Sequence, residues 1–199
     1  GVKKLCFSSS AAIYGDNPVV PKRESMPPEP KSPYAVTKLD GEHHCNMFKQ
    51  EGRLDTACMR YFNVFGPRQD PQSAYAAAVP IFIARAARNE TITIYGDGEQ
   101  TRDFIYVKDI VAANAHLAMT ETEAGFYNVA YGGQLTINDL AHKIIALTGS
   151  SSTIDYGPVR AGDVKHSTAP VENLAATGFK PTSSFDTGLQ NTIEYFLAK

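Results

Sequence analysis

The chain has 199 residues, of which 43% are hydrophobic, and a net charge of −2. Those values suit one good-sized core or two small ones, and they argue against a disordered chain, an obligatory polyanion partner or a membrane-surface protein. No apolar run reaches the length that spans a bilayer, and the opening reads as a strand rather than a secretion signal, so a soluble, cytoplasmic protein is expected. Gly1–Phe7 is a short apolar run that predicts a strand, with Ser8, Ser9 and Ser10 at its carboxyl end, where open α/β sheets place ligands. From Gly15 to Lys31 the composition turns to Pro, Asp, Asn and Glu, which marks a loop. Ser32 is a natural N-cap and Pro33 a natural first helical residue, so a helix is predicted from Pro33 to about Gln50, stopped at Gly52. Asp55–Tyr61 predicts a further strand, parallel to the first because the crossover between them is long.

Beyond Gly66-Pro67 the polar stretch Arg68–Ser73 predicts a loop. Ala74 to Asn89 is helical in composition, with Pro80 expected to kink or restart the helix. Thr91–Tyr95 and Asp103–Val107 predict strands, and Lys108–Thr120 predicts a helix with an apolar face. Phe126–Ala130 reads as a strand, and Thr136 with Asp139 as a capping box opening a helix that ends at Gly149. Ile154–Tyr156, Val171–Thr177 and Thr187–Lys199 add a strand and two helices.

Tyr34 and Lys38 are four apart on the first helix and so lie on one face of it. An ammonium beside a phenol favours the phenolate, which is a usable general base, and a neighbouring serine hydroxyl can hold a substrate oxygen. That spacing alone arises by chance on many helices. The joint pattern is more specific: Ser8-Ser9-Ser10, then Tyr14-Gly15, then Ser32-Pro33-Tyr34 with Lys38, then Arg60-Tyr61-Phe62-Asn63-Val64-Phe65-Gly66. It resembles the NAD-dependent epimerases and dehydratases of the extended short-chain dehydrogenase/reductases, and among them the UDP-N-acetylglucosamine and UDP-glucose 4-epimerases. The resemblance implies the second half of a doubly wound Rossmann-type parallel sheet over residues 1–66. Residues 67–199 would then form mainly a smaller α/β substrate-binding domain, with some segments returning to the sheet. About the first third of the family's usual chain, with its Gly-rich pyrophosphate loop, has no counterpart here, since Gly96-Asp97-Gly98 leads into polar residues rather than a helix and reads as a turn.

The resemblance implies Tyr34 as base, Lys38 on the nicotinamide ribose and Ser10 as the hydroxyl that holds the sugar oxygen, with Ser8, Ser9 and Tyr61 beside the NAD cofactor. It places Asn63 on the substrate diphosphate, although an asparagine there is equally a turn-forming amide. Arg102 and Arg160 suit the two phosphates, because guanidinium groups match phosphate oxygens, and their commoner fate is an exposed ion pair. Asp163 would take the ribose hydroxyls and Tyr95 would stack near the uracil. Ser167 would border the sugar, where a small side chain leaves room for a 2-acetamido group. Val64 departs from the proline common there in glucose-type epimerases. Cys6, Cys45 and Cys58 lack metal or disulfide spacing and read as buried thiols; the five histidines read as structural or surface residues. The cations form no basic stripe, which argues against nucleic acid.

The expected activity is 4-epimerisation of a UDP-sugar by transient oxidation at C4, in a homodimer. A 4,6-dehydratase is disfavoured because Ala11-Ala12 fill the places of that branch's acidic pair. A reductase or decarboxylase of the same superfamily stays open, as does a nucleotide-sugar-binding fragment that is inactive without an NAD-binding segment.

Overall fold

The computed structural model describes residues 1–73, 76–121, 125–159 and 164–198. Strand β1 (Lys4–Ser10) runs into a single 3-10 turn, Ala11–Tyr14, and a long loop leads to helix α1 (Pro33–Gln50). Ser32 caps that helix by accepting the Ala35 amide at 3.2 Å, and Pro33 occupies its first turn, as the sequence predicts. Strand β2 (Asp55–Tyr61) then returns parallel to β1, with Lys4 opposite Asp55, Ser9 opposite Arg60 and Ser10 opposite Tyr61. A short strand β3 (Asn63–Phe65) follows, then helix α2 (Ala78–Ala86) and strand β4 (Ile92–Tyr95).

Next come β5 (Thr101–Arg102), β6 (Phe104–Tyr106), helix α3 (Val107–Met119), β7 (Phe126–Val129), β8 (Leu135–Thr136) and helix α4 (Ile137–Thr148). The chain continues through β9 (Ile154–Gly157), β10 (His166–Ser167), α5 (Glu172–Ala176) and α6 (Phe185–Leu197). Among the described residues four small sheets result: parallel β1-β2-β7, parallel β3-β6, parallel β4-β9, and β5 between parallel β10 and antiparallel β8.

One helix and four short strands differ from the sequence reading in instructive ways. The helix expected from Ala74 begins at Ala78, and Pro80 lies in its first turn, where its missing N–H breaks no helical bond and causes no kink. Residues 74 and 75 lie outside the described set. The strands β3, β5, β8 and β10 were not anticipated; each has two or three residues, too few to carry a period. Helix α4 is capped as read, with Thr136 accepting the Asp139 amide at 2.9 Å and Gly149 closing it at φ 63°.

Burial explains why the pieces hold their places. One cluster, including Ala57, Met59, Ile105, Leu117, Tyr127 and Val129, fills one side of β1-β2-β7 beneath α3 and α5. A second joins α2, α4 and α6 through Phe82, Ile83, Leu140, Ile144, Leu189 and Ile193, around Phe65 of β3. Each fully buried Leu or Ile contributes about 1.5–3 kcal/mol. Phe65 also meets Phe104, Tyr106 and Phe185 at ring separations of 6.5, 5.7 and 5.3 Å, so β3 and β6 are pinned to α6. All three cysteines are free thiols, and burial raises the Cys58 thiol far above its ordinary range.

Candidate active site

The carboxyl ends of β1 and β2 carry the hydroxyls and the phenol that the sequence singles out. Alternation along β1 sends Ser8 and Ser9 to opposite faces. Ser8 Oγ lies 3.0 Å from Tyr61 Oη, and Tyr61 in turn donates to Asn114 Oδ1 at 2.9 Å. Since the tyrosine has one proton and gives it to Asn114, the Ser8 hydroxyl is the donor to Tyr61. Asn114 is itself fixed by donating to the Ile110 carbonyl at 2.7 Å. Ser10 accepts the Ala12 amide at 3.2 Å and so caps the 3-10 turn, with its hydroxyl proton still to give.

Opposite this strand end, α1 presents Tyr34 and Lys38. The Lys38 ammonium sits 5.6 Å from the centre of the Tyr34 ring and 5.5 Å from that of Phe7, and it donates to the Ser8 carbonyl at 3.0 Å. Tyr34 is 55% exposed, so its phenol is open to a ligand. An ammonium has three donors, and the Ser8 carbonyl takes one; the others suit paired ribose hydroxyls. The residues present thus fit the nicotinamide-ribose end of a dinucleotide, while the sequence holds no Gly-rich loop for its pyrophosphate. Ser9 is placed differently from Ser8: it is 2% exposed, and its hydroxyl is donated to Glu42 at 2.5 Å.

A second group lies two residues along the chain. Asn63, Tyr95 and Arg102 line a cavity of about 860 Å3 between α2, β4 and β5, together with Gln100, Arg85 and Arg88. The Asn63 side-chain amide donates to the Asp103 carbonyl at 3.2 Å, and Arg102 donates to the Thr101 carbonyl at 2.8 Å. Ser167 pairs in register with Arg102 across β10 and β5. Arg160 and Asp163 lie outside the described residues. The structure therefore gathers Ser8, Ser10, Tyr34, Lys38 and Tyr61 at one strand end. Asn63, Tyr95 and Arg102 gather at the cavity, with the short link from Tyr61 to Asn63 joining the two.

Sequence reasoning missed two groups of residues behind these sites. Asp103 is fully buried; its carboxylate accepts the Tyr131 amide at 2.7 Å and the Gly132 amide at 2.9 Å, while its carbonyl takes both the backbone and the side-chain N–H of Asn63. Burial pushes its carboxyl up to about 6, against the downward pull of those amides. The other is a buried ion pair: Arg60 grips Glu42 through Nε at 3.0 Å and Nη2 at 2.8 Å, with both side chains at most 4% exposed. Desolvation opposes the charge on Arg60, and Glu42 together with Tyr14 more than restores it. The sequence did hold a signal, an arginine directly after the run Thr56–Met59 and within the same strand, which has to find a buried partner. Among the described residues no cluster of His, Cys, Asp or Glu is arranged to hold a metal, and no helix is long and apolar enough to cross a membrane.

Comparison with known proteins follows the same lines. The family model described as the NAD dependent epimerase/dehydratase family matches residues 1–130. UDP-glucose 4-epimerase of Mycolicibacterium smegmatis is 34% identical over 203 residues, covering 100% of this chain and 64% of that protein. The mouse dTDP-D-glucose 4,6-dehydratase is more distant, at 28% identity over 98% of this chain and 56% of its own length. Among solved structures, UDP-N-acetylglucosamine 4-epimerase from Methanobrevibacter ruminantium, in complex with UDP-N-acetylmuramic acid, superposes with a TM-score of 0.93 at 45% identity, covering 98% of this chain and 63% of that one. The Thermus thermophilus UDP-glucose 4-epimerase complex with NAD gives 0.87 at 34% identity, covering 98% and 64%. This chain thus spans a little under two thirds of the length of its epimerase relatives. With its Rossmann-type α/β architecture and its matched strand-end motifs, the chain belongs to the NAD dependent epimerase/dehydratase family.

Proposed function

We propose that the protein acts in NAD-dependent 4-epimerisation of a UDP-sugar, with UDP-N-acetylglucosamine and UDP-N-acetylgalactosamine as the favoured pair. The observation that carries the reading is the Lys38 ammonium held between the exposed Tyr34 ring and the Ser8 carbonyl, at the end of a parallel strand. NAD, held at its ribose by Lys38, would supply the acceptor and then the donor of the hydride at C4 of the sugar. Tyr34 takes the proton of the 4-hydroxyl and later gives it back, so the cycle is neutral in protons and electrons. Ser10 donates its free proton to the same oxygen, and Lys38 holds the ribose with the donors that Ser8 leaves. Ser8 and Tyr61 form the wall beside the cofactor, and Ser9 supports that wall from behind.

At the other end, Asn63 and Arg102 hold the diphosphate and Tyr95 packs against the uracil, within the cavity they line. Arg160 and Asp163 belong to this end on sequence grounds. Ser167, beside Arg102, supports the N-acetylated pair through its size, and the named substrate of the Methanobrevibacter relative points the same way. We place the boundary between the cofactor-side and substrate-side parts near residue 66. A homodimer through the exposed face of α1, which carries Val36, Met47 and Phe48, would suit a soluble cytoplasmic enzyme.

The alternative reading is nucleotide-sugar binding without turnover. The test is to incubate the protein with NAD and UDP-N-acetylglucosamine and follow the anomeric proton of the product by NMR. Turnover that Tyr34→Phe abolishes, with UDP-sugar binding kept, is the expected result. A Tyr34→Phe variant as fast as the parent refutes the mechanism, and binding with no turnover in the parent selects the alternative reading.

A further inference from the structure

The segment that bears Ser10 is held at both of its ends by one buried ion pair. On the strand side, Ser9 donates to Glu42 Oε1 at 2.5 Å. On the other side, Tyr14, the last residue of the 3-10 turn that Ser10 caps, accepts Arg60 Nη1 at 3.0 Å. Arg60 also donates to the Glu24 carbonyl at 3.0 Å, so four of its five N–H groups have partners. Its guanidinium lies 5.1 Å from the Tyr14 ring centre and 4.9 Å from that of Phe126. The Tyr14 hydroxyl passes on to Asn128 Oδ1 at 2.7 Å, and Asn128 ties down the loop before α1 through the Lys22 carbonyl and the Glu24 carboxylate.

Glu42 belongs to α1, one turn beyond Lys38 and two beyond Tyr34, or about 6 and 12 Å along the axis. The same carboxylate that fixes Ser9 therefore rides on the helix that carries the phenol and the ammonium. We propose that Glu42 and Arg60 are positioning residues for the sugar end of the site, acting through the Ser9 and Tyr14 hydroxyls to set Ser10 against Tyr34. This inference rests on the UDP-sugar reading given above. It also assigns Ser9 a place in the scaffold in exchange for the cofactor contact expected from sequence. A buried ion pair adds little net stability, because desolvating two charges offsets most of their attraction, and an apolar replacement of equal volume is often neutral. What this pair supplies is direction, since a bidentate guanidinium bond fixes angle as well as distance.

The test uses Ser9→Ala, which leaves the ion pair itself intact, Ser9→Thr, which restores the hydroxyl, and the double variant Glu42→Leu/Arg60→Met. Two quantities are read: amide hydrogen exchange at residues 10–14 against that of α4, and calorimetric affinity for UDP and for UDP-N-acetylglucosamine. Losing one hydrogen bond to a charged acceptor should speed exchange at residues 10–14 by about ten- to a hundredfold, with α4 unchanged. The advantage of UDP-N-acetylglucosamine over UDP should fall about tenfold, while UDP itself binds within about twofold of the parent. Ser9→Thr should recover both, and the double variant should keep its melting temperature yet lose both. A Ser9→Ala protein with parental exchange and parental sugar preference overturns the proposal, whatever becomes of the double variant. If the parent shows no preference for the sugar nucleotide, the substrate reading fails and the exchange data alone decide the positioning role.

Discussion

Gly41→Ala places a methyl group where α1 packs against the Phe7 ring of β1. A Cβ built at Gly41 would lie 2.2 Å from Cζ of Phe7 and 2.7 Å from both ring ε carbons, so the ring edge must retreat by about an ångström to reach ordinary contact. Helix propensity works the other way: replacing an interior helical glycine by alanine favours the helix by about 1 kcal/mol. Overpacking costs about 1–3 kcal/mol, and displacing the ring from beneath the Lys38 ammonium, 5.5 Å from its centre, forfeits about 0.5–1 kcal/mol more. The balance is a loss of about 0.5–3 kcal/mol, which lowers the melting temperature by about 1–12 °C at this chain length. Differential scanning calorimetry measures it. A rise of about 2–4 °C, the result of propensity acting alone, would refute the claim that the ring is lodged against the helix, and with it the account of how Lys38 is seated.

Two further outcomes follow from the same geometry. Arg102→Leu removes a guanidinium from the wall of the cavity, and UDP affinity measured by calorimetry should fall about ten- to a hundredfold, as expected for a hydrogen bond to a charged group; an unchanged affinity would move the diphosphate elsewhere. At the far end of β1 and β2, burial pushes the Asp55 carboxyl up, but Lys4 at 3.0 Å and Lys49 at 3.3 Å outweigh it and hold the group below its ordinary range. Its stabilisation is therefore present above the ordinary carboxylate range and is lost as pH falls through the depressed value. Asp55→Asn should cost about 1 kcal/mol or less at neutral pH, and the gap in denaturation midpoint should close in acid; a gap that persists there would contradict the sign.

The long elements and the local chemistry at their ends were legible in the sequence, because caps and periodicity act within a few residues. Helix α1 carries its boundaries in Ser32, Pro33 and Gly52, and β2 is a short run between turns that the fold buries on both faces. The proximity of Tyr34 and Lys38 followed from helical spacing, and that of Ser8 from its place at a strand end. What lay beyond reach was pairing over long separations. Nothing local to Asp103 announces that it will accept the amides of Tyr131 and Gly132, and nothing local to Glu42 announces Arg60 or Ser9. The two-residue strands were invisible for a related reason, since they exist only through partners such as Ser167 opposite Arg102. Arg160 and Asp163 remain assignments made from sequence.

Adjacent serines on β1 do unrelated jobs only because a strand turns its side chains up and down in strict succession. Ser8 reaches Tyr61 on one side of the sheet, Ser9 reaches Glu42 on the other, and Ser9 stays level with Arg60. Inserting a single residue ahead of the three serines would put Phe7 in the place of Ser8 beside Tyr61, and deleting one would put Ala11 in the place of Ser10 at the cap of the turn. This stretch should accept a change of letter far more readily than a change of spacing, so engineering near the site is better done by replacement than by lengthening or trimming the strand.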